Sequence, residues 1–321
     1  MRSALSHPIR AVAVSTALLA ALAGSAAWGA GRPQTAGSHR LPSSTELTSA
    51  TTQAASTYST PRVTKLLVFI IENHSLSQMR DHMPWTYALA KRYAYARDYH
   101  AIRHPSLPNY LAIAGGSTFG VADDKPPSAH HVHAWSVFDQ ALYNGRTAKV
   151  YAEGMPSPCA LQNGGGHYAV RHNPWTYFVD RRPACRAHDV SLASFAHDAA
   201  AGSLPNAGMV IPNLIHDAHD ASLADADRWL KTHINEVRSG PDFRSGRLAV
   251  VVTADEDDGH HGNRVLTVVA GRYTPHRVVP TRLSHYSLTR LYDDVLGVQH
   301  LRKASSAHSM TRAFGIRVRA R

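Results

Sequence analysis

The chemistry in this sequence is concentrated in polar clusters that follow apolar runs. Glu72-Asn73 directly follows VTKLLVFII, and a carboxylate there is costly unless it is paired, hydrogen-bonded or bound to a metal. The segment TADEDDGHHGN (253–263) sets the acids Asp255 to Asp258 in a row after another apolar run. A divalent cation would relieve their mutual repulsion. Glu72, Asn73, Asp255 and Glu256 therefore form an oxygen-rich candidate metal set. IPNLIHDAHD (211–220) alternates histidine with aspartate, which suits metal ligands or carboxylate-oriented histidines for acid–base work. Asp217, His219 and Asp220 are its candidates. In HAIRHPSLPNYLAIAGG (100–116), Ser106 stands at an expected helix start, flanked by His104 and Asn109. Free backbone N–H groups and the positive dipole end of a helix suit a phosphoryl oxygen. Each cluster alone has a plainer explanation: an N-cap at Asn73 or Ser106, a solvated acidic loop at 255–258, loop polarity before a helix at 222. With 22 histidines in the chain, a lone one means little.

The elements that must position these residues can be read from apolar runs. Residues 63–71, 148–152, 208–211, 247–253 and 264–271 read as strands, most of them buried on both faces. Helices are expected over 84–97, 107–114, 134–144, 190–200, 222–237 and 286–296. The alternation predicts a doubly wound α/β fold, a mostly parallel central sheet with helices on both faces. Such sheets bind ligands beyond the carboxyl ends of their strands, so acidic clusters far apart in sequence can converge there.

The motifs resemble the bacterial phosphoesterase family of acid phosphatases and phospholipases C, within the alkaline phosphatase superfamily. The resemblance is carried, in family order, by FIIENHS (69–75), HPSLPNYLAIAGG (104–116), YAEGMPSPC (151–159), RHNPWTYF (171–178), IPNLIHDAHD (211–220), VVTADEDD (251–258) and SHYSLTRLYDDVLG (284–297). It implies that Glu72, Asn73, Asp255 and Glu256 hold a divalent metal ion, with Ca, Mg, Mn and Zn not distinguished. It implies Ser106 as nucleophile and Asn109 as a contact to the phosphoryl oxygens. His219, Asp220, His172 and His285 match polar positions of the pattern: His219 and His285 are taken as catalytic, and His172, Asp220 and His104 as substrate-binding. Ala254 stands where tryptophan is common, and Ile215-His216 where asparagine and cysteine are, which leaves substrate and metal preference open.

The expected activity is that of a secreted, metal-dependent, acid-phosphatase-like phosphomonoesterase acting through a phosphoseryl intermediate. Phospholipase C or another phosphodiesterase is the alternative, and a non-catalytic binder of an anionic wall polymer or lipid is the second. Relatives of the phospholipase C type tend to carry further C-terminal domains, whereas this chain ends soon after SHYSLTR, which favours a compact phosphatase. A carboxylesterase would want G-x-S-x-G, and a sulfatase a Cys or Ser followed by x-Pro-x-Arg, whose arginine is lacking after Ser106-Leu107-Pro108-Asn109. The formal charge of +11 suits anionic partners, a phosphorylated small molecule or phospholipid headgroup, while the lack of Lys/Arg runs argues against nucleic acid.

Export is read from residues 1–30, where Arg2 and Arg10 precede or begin an apolar run and Ser25-Ala26-Ala27 suits a signal peptidase. No transmembrane span is expected after cleavage. Residues 31–61, rich in Ser, Thr and Pro, read as a disordered linker, and 62–321 as one catalytic domain. Cys159 and Cys185 are the only cysteines, and export makes a bridge between them the expectation over two free thiols.

Overall fold

The computed structural model describes residues 60–319. The chain divides after Thr57, and the described residues belong to the second unit, Tyr58–Arg321. The signal sequence, and all but the end of the linker, lie outside the described residues.

Ten strands are present among the described residues: β1 (Lys65–Ile71), β2 (Ala94–Ala96), β3 (Tyr99–His100), β4 (Ala148–Ala152), β5 (Asp189–Ser191), β6 (Ala207–Ile211), β7 (Leu248–Ala254), β8 (Thr267–Gly271), β9 (Arg277–Val279) and β10 (Leu283–Ser284). Eight form one sheet in the order β5-β4-β6-β1-β7-β8-β2-β9, in which only β8 runs antiparallel to its neighbours. β3 and β10 make a separate parallel ribbon. The mostly parallel sheet with its helices is the fold expected from the sequence.

Every residue of β1 after Lys65 is buried, so both faces of the central strand are covered, as its unbroken apolar run requires. The Phe69 ring packs edge-on against Phe195 and Trp229, which belong to the helices Phe195–Ala201 and Leu223–Ser239. A second group, Ser106–Gly115, Val137–Tyr143 and His285–Leu296, packs mutually and reaches the sheet through Tyr292, whose hydroxyl donates to Gly208 O at 2.6 Å. Gly208 is opposite Leu67 in the β6–β1 register. A Cβ there would stand 2.7 Å from the Leu67 side chain, so the close approach of these strands needs glycine.

Several boundaries differ from the sequence reading. The helix expected over 84–97 ends at Arg92, and Ala94–Ala96 instead pairs with β8 and β9. The inward alternation of Ala94 and Ala96 fits a strand, and tertiary pairing overrides the helical period there. The helix expected from 190 starts at Phe195, because Asp189–Ser191 adds β5 to the sheet edge. Cys159 and Cys185 are bonded, with Cα atoms 5.5 Å apart. No helix among the described residues is long and apolar enough to cross a membrane.

Candidate active site

Because β1 lies between β6 and β7, the residues that follow these three strands meet at one sheet edge. Backbone bonds fix the convergence: Glu72 N–H donates to Asp217 O at 2.8 Å, and Asp255 N–H to Ile71 O at 2.9 Å. Asn73, in the left-handed region at φ 56°, turns its N–H onto Asp255 Oδ1 at 3.0 Å. Asparagine tolerates that backbone conformation better than most residues. Glu72, Asp217 and Asp255 all have no exposed surface.

Ser106 opens the helix Ser106–Gly115, every residue of which is buried. Its hydroxyl donates to Glu72 Oε2 at 2.9 Å, and the Tyr110 hydroxyl, one turn on, donates to Glu72 Oε1 at 2.5 Å. Tyr110 also stacks on His172, with ring centroids 5.2 Å apart. His172 is itself buried, its Nε2 3.4 Å from Glu72 Oε2 and its Nδ1 3.2 Å from Asp217 Oδ2. The sequence reading placed His172 with the substrate; the structure seals it between two carboxylates.

Burial, reinforced by the charges of Asp255 and Asp217, holds the Glu72 carboxyl well above the usual range. Burial likewise pushes Asp217 and Asp255 each up to about 7. Burial first, then the charges of Arg171 and His219, keeps His172 well below the ordinary imidazole value, so it is neutral. A group of acids reluctant to ionise around a neutral imidazole is the electrostatic signature of a site suited to a cation. Hydrogen bonding points the same way. Both ring nitrogens of His172, Asp217 Oδ2 and Asp255 Oδ2 are buried without a hydrogen-bond partner. Unsatisfied buried polar atoms are rare and call for an occupant. Glu72, His172 and Asp217 can together present ligand atoms within 4.8 Å of one another, so these residues fit a divalent metal.

The other expected ligands and contacts are placed differently. Glu256 is turned away from the Glu72 group, accepting from Asn109 Nδ2 at 2.9 Å and lying 3.2 Å from His104 Nδ1. Burial, then the Asp255 charge, raises it to about 9. His104 spans Glu256 and Asp257, whose Oδ1 is 3.1 Å from its Nε2. Asn109 is committed to its own loop: Oδ1 accepts from the N–H groups of Ile102 and Arg103, and Nδ2 donates to Arg103 O at 2.6 Å. His285 sits under the site, its Nε2 2.5 Å from Asp255 O and its Nδ1 3.1 Å from the Tyr99 hydroxyl. Both of its nitrogens are engaged, so it positions the Asp255 backbone. His219 is held by Asp220 Oδ1 at 2.6 Å and accepts from Arg171 at 3.0 Å.

The helix terminus is also less open than the sequence suggests. Pro108 has no N–H, and the Leu107 N–H donates to Asp124 Oδ1 at 2.9 Å, leaving Ser106's own N–H nearest the hydroxyl. Asp124 and Arg171 were missed because neither stands beside an apolar strand end. Tyr110 was missed because an aromatic at helical spacing reads as core. Asp217 was a candidate of the His/Asp alternation but was not placed in the metal set; its place after β6, next to β1, was the available signal.

The sequence profile of the phosphoesterase family matches residues 72–299. The chain belongs to the phosphoesterase family. It is 28% identical over 257 residues to the phosphatidylinositol-3-phosphatase of Mycobacterium tuberculosis, covering 79% of this chain and 84% of that one. It is 29% identical to the phosphate-repressible acid phosphatase of Penicillium chrysogenum, covering 62% of this chain and 51% of the fungal one. A Vibrio parahaemolyticus protein of the alkaline phosphatase superfamily matches the fold with a TM-score of 0.54 at 8% identity, covering 79% of this chain and 72% of that one. As a phosphoesterase-family member the chain is a hydrolase of phosphoric esters, and its substrates are phosphorylated compounds.

Proposed function

We propose that this phosphoesterase is an exported, metal-dependent phosphomonoesterase of the acid-phosphatase kind, with Ser106 as nucleophile. The observation that carries the reading is the Ser106 hydroxyl bonded to Glu72 within a buried group in which both His172 nitrogens, Asp217 Oδ2 and Asp255 Oδ2 lack hydrogen-bond partners. Glu72, His172, Asp217 and Asp255 would hold the cation. When bound, a divalent cation lowers the pKa of a neighbouring hydroxyl and neutralises charge on the phosphoryl oxygens.

The chain's own residues do the rest. The Ser106 proton leaves along the existing bond to Glu72, and Oγ attacks phosphorus in line with the leaving oxygen. The Oγ–P bond forms as the P–O bond to the leaving group breaks. His219, oriented by Asp220 through Nδ1, supplies the leaving oxygen's proton from Nε2 once that nitrogen has exchanged its Arg171 contact for a proton. Water, giving a proton to His219, then attacks phosphorus, the Oγ–P bond breaks, and Ser106 recovers its proton from Glu72 as phosphate departs. His285 and Asn109 hold the Asp255 backbone and the 102–105 loop in register.

A phosphorylated lipid headgroup is a second reading of the substrate, favoured by the mycobacterial relative, which this chain matches over most of its length. The chain spans only about half of the acid phosphatase from Penicillium. Rapid quenching of the enzyme with a ³²P-labelled monoester tests the mechanism. Acid-stable label mapping to the peptide that contains Ser106, absent from Ser106→Ala, is expected. Turnover with no labelled protein under burst conditions would overturn the covalent step.

A further inference from the structure

On the outer side of the β3–β10 ribbon lies a cleft of about 410 Å³. None of its lining residues belongs to the group Glu72, Ser106, His172, Asp217 and Asp255. Tyr99 faces inward to His285, while His100 and Ser284, the next register pair, line the cleft. Its basic residues are His100, Arg282, Lys303 and His308, and no carboxylate lines it. Part of that charge is uncommitted. Among the described residues Lys303 has no ion pair, its ammonium instead lying 5.3 Å from the Tyr286 ring centroid. Arg282 reaches Asp98 only at 4.0 Å and lies 3.3 Å from His100 Nε2, which is the nitrogen that Asp98 engages at 2.7 Å. The Tyr286 hydroxyl is buried without a hydrogen-bond partner. A buried hydroxyl with no partner is a standing cost that a ligand's acceptor would remove. The floor is apolar, formed by Ala101, Ile102 and Leu283. The walls are held by bonds to main-chain oxygens: Lys303 N–H donates to Gly116 O, and the Arg290 guanidinium to Ala307 O at 2.7 Å.

We propose that this cleft is a second binding site, separate from the catalytic centre, for an organic phosphate whose ester carries an apolar group. The phosphate would meet Arg282, Lys303 and the Tyr286 hydroxyl, and the apolar group would lie on Ile102 and Leu283. Cationic residues around an acid-free, partly apolar hollow select this class over a cation or a neutral sugar.

The test is calorimetric titration of 1-naphthyl phosphate into the Ser106→Ala protein after chelation and desalting, so that neither turnover nor metal-dependent binding contributes. One bound molecule per chain is expected. Arg282→Ala with Lys303→Ala should weaken it at least about tenfold, and Tyr286→Phe, which keeps the ring, by a smaller factor. Inorganic phosphate should bind more weakly, and 1-naphthol not at all. Thermal melts of the variants at the parent's Tm show that the fold is intact. Absence of binding, or binding unchanged in the double variant, would overturn the site. Equal affinity for inorganic phosphate would overturn the role given to the apolar floor. None of these outcomes depends on the nucleophile assignment.

Discussion

The Ser106 hydroxyl donates to Glu72 Oε2 across 2.9 Å, joining the first residue of a buried helix to the first residue beyond the central strand. The same carboxylate takes the Tyr110 hydroxyl on its other oxygen. Glu72 therefore sets the nucleophile's rotamer as well as belonging to the candidate metal group. Ser106→Ala should keep fold and metal content but lose several orders of magnitude in kcat, since the attacking oxygen is gone. Glu72→Gln should lose both metal and activity, the latter by at least about 10³-fold. Elemental analysis beside phosphate-release kinetics separates the two. Normal metal content in Glu72→Gln would remove Glu72 from the ligand set.

Asn109 acts through the loop it holds. Its amide satisfies two loop N–H groups and donates to Arg103 O, Pro105 O and Glu256. Asn109→Ala leaves these groups unsatisfied at roughly 1–3 kcal/mol each where they stay buried. A lowered Tm accompanied by a fall in kcat of about 10²-fold or more is the expected result. Reduced kcat with an unchanged Tm would instead assign Asn109 a direct contact to the phosphoryl group.

His219 is assigned to the leaving oxygen, so its removal should matter most where that oxygen is a poor leaving group. His219→Ala should cost little with p-nitrophenyl phosphate and about 10²-fold or more with an alkyl phosphate such as glycerol phosphate. Equal losses on both substrates would move the proton donor elsewhere, the exposed His104, two residues before Ser106, being the next candidate.

What the sequence made legible follows from burial on two faces. Runs such as VTKLLVFII and RLAVVVT have little choice but to be central parallel strands, and Glu72 and Asp255 are fixed one residue beyond the strands β1 and β7 that these runs form. β2, β5 and β9 were not legible, because three-residue strands at sheet margins are specified by pairing and carry too few residues for a period. Within the site, the composition of Glu72 and Asp255 was readable but the direction of a side chain was not. Glu256 sits beside Asp255 in sequence, yet it faces Asn109 and His104, while His172, far along the chain, arrives between Glu72 and Asp217. A dense alternation such as HDAHD names its candidates without saying that Asp217 goes inward and Asp220 outward.

The disulfide closes the loop that carries His172. Breaking it by Cys159→Ser with Cys185→Ser should cost about 3–4 kcal/mol on the chain-entropy account. It should also loosen Asn173, which donates to Asp189 at 2.9 Å, and with it the neighbouring His172. A lower Tm with kcat reduced about tenfold, measured well below the new Tm, is the expected pair of results. Unchanged kcat would confine the bridge to stability.

Asp189 gives a pH signature at a distance from the reacting atoms. It is fully buried, and burial pushes its carboxyl up to about 8, against the stabilising bonds from Asn173. In the unfolded chain it titrates near 3.9. Between those values the unfolded chain has released the proton and the folded chain keeps it. The folded state thus binds more protons, and the Asp189 contribution to stability falls as pH rises from about 4 to about 8, by at most about 1.4 kcal/mol per pH unit. Above that window both states are ionised and the slope vanishes. Asp189→Asn is neutral throughout, and Asn173 can turn its amide, whose Oδ1 is buried without a partner, to receive the new N–H. The difference in Tm between Asp189→Asn and the parent should therefore move in favour of the variant from pH 4.5 to pH 7.5, by several degrees. Melts at matched ionic strength across that range measure it. A constant difference would mean that Asp189 is ionised in the folded protein at neutral pH, with Asn173 and the surrounding dipoles outweighing its burial.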